Sequence, residues 1–173
     1  SMEMVRGTNS VDVMTGGGNN TFERFRGLGG ADTFIGTTGG FQEIDYSHDN
    51  FFGGGSGVTV NFSTNTAVDG FGATDTFSNI NQAKGTEFND TFTASSSGSR
   101  FRGLDGADTF TGGASDDRIE YSSDFAFGGT AGVTVNLTNG TAVDGFGKTD
   151  TFTSIEDVRG SSQNDSITGN NSD

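Results

Sequence analysis

The sequence predicts an all-β solenoid, a chain that winds short strands into a stack. Three observations predict it. Residues 25–92 and 101–167 are two copies of one unit, and self-similarity over that length marks a repeat architecture. Inside the second copy Phe92, Phe101, Phe110 and Ile119 recur every nine residues. Glycine makes up 30 of 173 residues and no segment keeps a helical hydrophobic period, so helix is disfavoured throughout.

The repeats run in a fixed order. FRGLGGADTF (25–34) recurs as FRGLDGADTF (101–110), GVTVNF (57–62) as GVTVNL (132–137), and TAVDGFGATDTF (66–77) as TAVDGFGKTDTF (141–152). The offset is 76 residues at first and 75 after one deletion near residue 40. VRGTNSVDVMTG (5–16) matches VRGSSQNDSITG (158–169) and, more loosely, AKGTEFNDTFTA (83–94). The organisation read from this is a cloning scar and linker at 1–4, a first unit at 5–84, a second at 85–159, and the start of a third at 160–173, all one continuous solenoid. Within the second copy the six-residue turns GTEFND, ASSSGS, GLDGAD and GGASDD precede the pieces TFT, RFR, TFT and RIE. Only the middle residue of each piece is apolar, the pattern of a short strand with one inward side chain.

Composition narrows the function. A net charge of −14 argues against nucleic acid and anionic membranes as partners. The absence of cysteine excludes disulfides and thiolate chemistry. No apolar run reaches membrane-spanning length and no signal peptide is visible, so no membrane insertion is expected. His48 is the single histidine and reads as a surface residue. No G-x-S-x-G elbow occurs, GGGSG (53–57) lacks the Lys-Ser/Thr of a phosphate loop, and Asp116-Asp117 reads as ligand or solvated acid rather than an acid–base pair. An enzyme is not expected.

At the nonapeptide level the chain resembles the RTX, or hemolysin-type, calcium-binding family, whose repeat is G-G-x-G-x-D-x-U-x. GGASDDRIE (112–120) fits with serine at the third glycine, and GLDGADTFT (103–111) and GLGGADTFI (27–35) fit with leucine at the second position. Segments 7–15, 85–93 and 160–168 keep the first glycine, the aspartate and the apolar residue. The interludes 46–80 and 121–155 are similar to those between nonapeptide blocks of that family, so the resemblance spans nearly the whole chain. It implies a parallel β-roll with calcium ions along its edges. It also implies type I secretion from a Gram-negative bacterium, folding outside the cell where calcium is plentiful, and a structural or adhesin role beside flanking repeats of a larger secreted or surface protein.

In such a roll, turns eighteen residues apart stack on one edge. Asp90 and Asp108 then face each other about 4.8 Å apart, with carbonyls from 85–88 and 103–106 nearby, Gly103 and Asp105 among them. Bare, the two carboxylates repel by roughly 1 kcal/mol in water and more in lower dielectric, and a cation with six to eight oxygen ligands relieves that. Calcium fits better than magnesium, which demands stricter geometry. The first-copy counterpart pairs Asp12 with Asp32 in the Gly27–Gly29 turn. Its spacing of 20 requires a two-residue bulge near Gly16 and Gly17. On the opposite edge Asp117 stacks over Ser99, a site with one carboxylate. Gln42 and Glu23 hold those positions in the first copy, which departs from the pattern. Asp165 needs Asp150 or a further winding to complete its shell. The DGFG-x-TD loops place Asp69 with Asp75 and Asp144 with Asp150, either as metal ligands or as solvated acids of a tight turn. A core of one narrow Phe, Ile and Met ladder is too thin to fold unaided, so metal binding would contribute folding free energy.

The sequence also bears on a glycan-binding and an ice-binding reading. A carbohydrate-binding accessory module of a secreted polysaccharide-modifying enzyme, gripping a polysaccharide or cell-surface glycan, needs a basic stripe. The RFR strands supply one small cluster, and the net charge opposes a polyanion. The arginines stacked over Glu43, Asp45 and Glu120 read as cross-strand pairs. Thr-x-Thr ranks such as Thr91/Thr93 and Thr109/Thr111 are the mark of ice-binding solenoids. On the sequence only two successive strands of one sheet carry them, and threonine is an ordinary exposed strand residue.

Overall fold

The computed structural model describes residues 3–18 and 22–170. Nearly all regular structure is strand. In chain order the strands are β1 (Glu3–Arg6), β2 (Val13–Thr15), β3 (Glu23–Arg26), β4 (Thr33–Ile35), β5 (Gln42–Asp45), β6 (Thr59–Asn61), β7 (Thr66–Val68), β8 (Thr74–Ser78) and β9 (Gln82–Lys84). They continue with β10 (Thr91–Thr93), β11 (Arg100–Arg102), β12 (Thr109–Thr111), β13 (Arg118–Glu120), β14 (Thr134–Asn136), β15 (Thr141–Val143), β16 (Thr149–Thr153), β17 (Asp157–Arg159) and β18 (Ser166–Thr168). Two 3₁₀ turns, Asp49–Phe52 and Asp124–Phe127, are the only helical segments among the described residues. No helix there is long and apolar enough to cross a membrane.

The strands form two sheets. A narrow sheet runs β1-β3-β5-β9-β11-β13-β17, and a wide one runs β18-β14-β15-β16-β12-β10-β6-β7-β8-β4-β2. The nine-residue rhythm explains the split: each three-residue piece carries one inward side chain, and successive pieces alternate between sheets. Phe92 and Phe110 pair in the wide sheet, while Phe101 and Ile119 pair in the narrow one. All four are 0% exposed. Their rings interleave, Phe92 lying 5.1 Å from Phe110 and 5.3 Å from Phe101 between centroids.

The interludes depart from a purely parallel winding. β6, β7 and β8 form an antiparallel meander, as do β14, β15 and β16. The cause is connection length. Four or five residues link these strands, enough for a hairpin and too few for a crossover to a parallel neighbour. Each meander enters the wide sheet only. There β8, β7 and β6 stand between β4 and β10, whereas β5 and β9 touch directly in the narrow sheet.

This topology sorts charge. Outward positions of the narrow sheet hold Arg6, Arg24, Arg26, Lys84, Arg100, Arg102, Arg118 and Arg159, eight of the nine basic residues. Among the described residues only four acids share that face: Glu43, Asp45, Glu120 and Asp157. Arg26 donates to Asp45 at 2.7 Å, Arg24 to Glu43 at 2.5 Å, and Arg102 bridges Glu43 and Glu120. The RFR cluster of the sequence is therefore part of a ladder crossing the sheet.

The packing predicts a contrast in urea unfolding. Phe101→Ala, at the centre of the ring ladder, is expected to lose about 3–5 kcal/mol. Phe51→Ala, at a residue 73% exposed, stays within about 0.5 kcal/mol of the parent. Equal losses would contradict this core.

Candidate metal centre

The turns that precede the strands set the geometry of their aspartates. On one edge each aspartate's backbone N–H donates to the carboxylate on the neighbouring strand. Asp12 donates to Asp32 and Asp32 to Asp75, both at 2.8 Å. In the second copy Asp90 donates to Asp108 at 2.8 Å and Asp108 to Asp150 at 2.9 Å. The expected partners Asp90 with Asp108, and Asp12 with Asp32, thus sit on adjacent windings. What joins them is an N–H to carboxylate hydrogen bond. The bulge expected near Gly16 and Gly17 falls in a connection that lies partly outside the described residues.

The opposite edge repeats the arrangement. Ser99 donates its N–H to Asp117 at 2.6 Å, and Asp117 donates to Glu156 at 3.0 Å. In the first copy Glu23 accepts from Gly17 at 2.5 Å, and Gln42 donates its N–H to Asn81. Asp165 accepts from Val133 N–H at 2.9 Å, because β18 pairs with β14. Its expected companion Asp150 instead accepts from Asp108, on a strand that β18 does not touch.

Two kinds of turn emerge. In the first, residue two of the turn donates its N–H back to the aspartate at position six: Thr8 to Asp12 and Thr86 to Asp90 at 2.7 Å, and Gly113 to Asp117 at 2.6 Å. At the third unit Ser161 supplies its hydroxyl to Asp165 at 2.6 Å. These carboxylates are served from within their own turn. In the second kind residue two is leucine with positive φ, 69° at Leu28 and 77° at Leu104. No N–H then reaches back, and Oδ2 of Asp32 and of Asp108 is buried without a hydrogen-bond partner. These are GLGGAD and GLDGAD. A methyl group on Gly103 would lie 1.8 Å from Asp108 Oδ2, and one on Gly27 2.1 Å from Asp32 Oδ2. The first glycine is required because the carboxylate occupies that space.

The DGFG loops contribute unequally. Asp75 and Asp150 are fully engaged, each accepting an aspartate N–H and the hydroxyl of Tyr46 or Tyr121 at 2.8 and 2.9 Å. Asp69 accepts N–H groups of Phe71 and Ala73 on Oδ1, and Asp144 those of Phe146 and Lys148, which leaves Oδ2 of each buried and open. Sequence reasoning missed Asp49 and Asp124, which begin the 3₁₀ turns. Each is 1% exposed, accepts the N–H of Gly70 or Gly145 on Oδ2, and has Oδ1 without a partner. The signal was present: YSHD and YSSD hold the acid at the same place in both copies. Asp105 also carries a buried oxygen with no partner, while Gly29 packs against the Phe71 ring.

Burial dominates the electrostatics. It raises Asp108 to about 10, with the Asp90 and Asp150 charges adding to it. Burial likewise raises Asp49 to about 8, Asp75, Asp90, Asp124 and Asp150 to about 7, and Asp32 to about 6. Asp45 goes the other way: burial is outweighed by Lys84 and Arg26, and it falls to about 2. The open carboxylate oxygens are all hard donors, the type calcium prefers, and three of them recur in both copies, Asp32 with Asp108, Asp49 with Asp124 and Asp69 with Asp144, while Gly29 stands at the place of Asp105. Among the described residues, however, no three His, Asp or Glu side chains stand close enough to hold a metal ion between them. A bound cation would therefore draw on backbone carbonyls as well. No protein-family model matches the chain, and no curated protein matches it significantly.

These shifts fix a pH dependence for the metal-free protein. Carboxyls raised in the folded state add stability that is full below about pH 4 and is lost as pH climbs through about 6 to 8. Asp45 is ionised throughout that window. His48, lowered chiefly by burial, opposes the trend as a single group. The melting temperature in chelator should fall from pH 5 to pH 8, and a rise would contradict the burial of these acids.

Proposed function

We propose that the chain is a calcium-binding β-roll module of the RTX type. Calcium entering at its aspartate turns completes its folding outside the cell, where it is a structural, adhesin-like part of a secreted or surface protein. One observation carries this reading: of the three turns that depart from the nonapeptide pattern at a single position, the two with leucine at the second position are those whose aspartates, Asp32 and Asp108, keep a buried oxygen with no partner. Asp69 and Asp144 from the DGFG loops, with Asp49 and Asp124 from the 3₁₀ turns, offer further open oxygens around them. Calcium there would supply the positive charge that offsets these buried carboxylates. Weak sites suffice where calcium is on the order of millimolar, the regime of extracellular modules.

A second reading is favoured by the basic ladder of the narrow sheet. Arg6, Arg100 and Arg159 have no ion-pair partner among the described residues, and Arg100 lies 4.1 Å from the Phe41 ring centroid. That face suits an acidic polysaccharide better than the net charge suggests. A glycan array run with and without calcium tests it, and binding of no acidic glycan in either condition rejects it.

For the first reading the test is a calcium titration followed by far-UV circular dichroism and melting temperature. Calcium is expected to raise both strand content and melting temperature. Asp108→Asn should lose most of that gain. Asp90→Asn should keep it, because Thr86 and Val58 already occupy both Asp90 oxygens. A spectrum unchanged by calcium would reject calcium-coupled folding, and equal losses in the two variants would reject the distinction between the turns.

A further inference from the structure

The outward face of the wide sheet has a composition unlike any other part of the molecule. Its eleven strands present twenty-four outward side chains, of which sixteen are threonine, two serine and two asparagine. The other four are valine or isoleucine, and none is charged or aromatic. Chance does not distribute a chain with 18% charged residues in this way. The sequence showed two successive Thr-x-Thr strands. The meanders add nine more threonines, because their strands enter the same sheet, and β2, β4 and β18 add one each.

The registers make the threonines a lattice. Thr59, Thr91, Thr109, Thr151 and Thr141 lie side by side on five successive strands. Thr93, Thr111 and Thr153 form a second rank beside them. Neighbours in a rank are about 4.8 Å apart, and the ranks are about 6.7 Å apart along the strand. Hydroxyls within a rank point at one another: Thr109 and Thr151 Oγ1 are 3.4 Å apart, and Thr33 and Thr76 Oγ1 are 3.3 Å apart. Threonine is β-branched and stiff at χ1, so the array is held with little side-chain entropy left to lose.

The chemistry excludes most occupants. A polyanion needs cations and a metal needs carboxylates, and this face has neither. A crystalline sugar surface is gripped by aromatic platforms, which are absent. An apolar partner would strand a hydroxyl at three positions in four. What remains is a ligand that is itself periodic, accepts and donates hydrogen bonds at every node, and tolerates a methyl group between them. Ordered water meets that description, and the spacing of neighbours within a rank, about 4.8 Å, lies close to the shortest oxygen-row repeat of hexagonal ice.

We propose that the threonine face of the wide sheet binds ice. Waters held between the ranks would be shared with the crystal surface, and freezing them costs little because the hydroxyls already fix their positions. This does not depend on the calcium reading, and it uses a face that carries none of the aspartates discussed above.

The test is thermal hysteresis, together with partitioning of fluorescently tagged protein into a growing ice hemisphere. Both are run in whichever calcium condition circular dichroism shows to be folded. The parent protein is expected to show both activities. Thr109→Lys, at the centre of the array, should lose most of each. Met4→Lys makes the same charge change at an exposed outward position of the narrow sheet and should keep both. If Thr109→Lys fails to fold, Thr91→Lys and Thr109→Val supply the comparison. A folded parent that neither depresses freezing nor enters ice overturns the proposal. So does equal activity of the Thr109 and Met4 variants, or retention on crystalline cellulose or chitin in place of ice. Loss of the calcium response alone would sink the calcium reading and leave this one standing.

Discussion

Each winding of this chain hands a backbone N–H to an aspartate carboxylate on its neighbour. A strand of three residues buries one side chain and offers few ladder bonds, so a stack of such strands has little to fix its register. The carboxylates supply that. Asp108 receives Asp90 N–H and Asp150 receives Asp108 N–H, so one bond per winding ties the turns as the rings tie the core. The first glycine of the turn follows from the same bond, since Asp108 Oδ2 fills the space a methyl would need. The cost also follows. A carboxylate taken out of water must be protonated or compensated, which is why the edges, and not the core, decide how the molecule responds to its surroundings.

Much of this was legible in the sequence. The nine-residue spacing of Phe92, Phe101, Phe110 and Ile119 identified the buried ladder, and the eighteen-residue spacing placed Asp90 and Asp108 on one edge. Three things were not legible, for physical reasons. Whether a carboxylate is satisfied depends on the φ of the second turn residue, and leucine at positive φ is not a pattern that sequence announces. Asp49 and Asp124 lie outside any nonapeptide and gain meaning only when Gly70 and Gly145 fold back onto them. The interlude strands look like any alternating segment, and nothing local says that all six enter the same sheet.

That last point governs the surfaces. Because both meanders join the wide sheet, its outer face gathers threonine, while the narrow sheet keeps nearly all the arginine and lysine. The net charge of −14 therefore describes neither face; the excess acid lies in the turns and loops. The chain thus presents one carboxylate-rich edge system, one face rich in basic residues and one uncharged hydroxyl face.

Amide hydrogen exchange measured by NMR tests the edge bonds most directly. The account predicts that the turn amides of Asp32, Asp90 and Asp108 exchange as slowly as those of Phe34, Phe92 and Phe110 in the core strands, since each turn amide is held by a carboxylate on the next winding. Exchange at the rate of an open loop, with the core strands still protected, would contradict it.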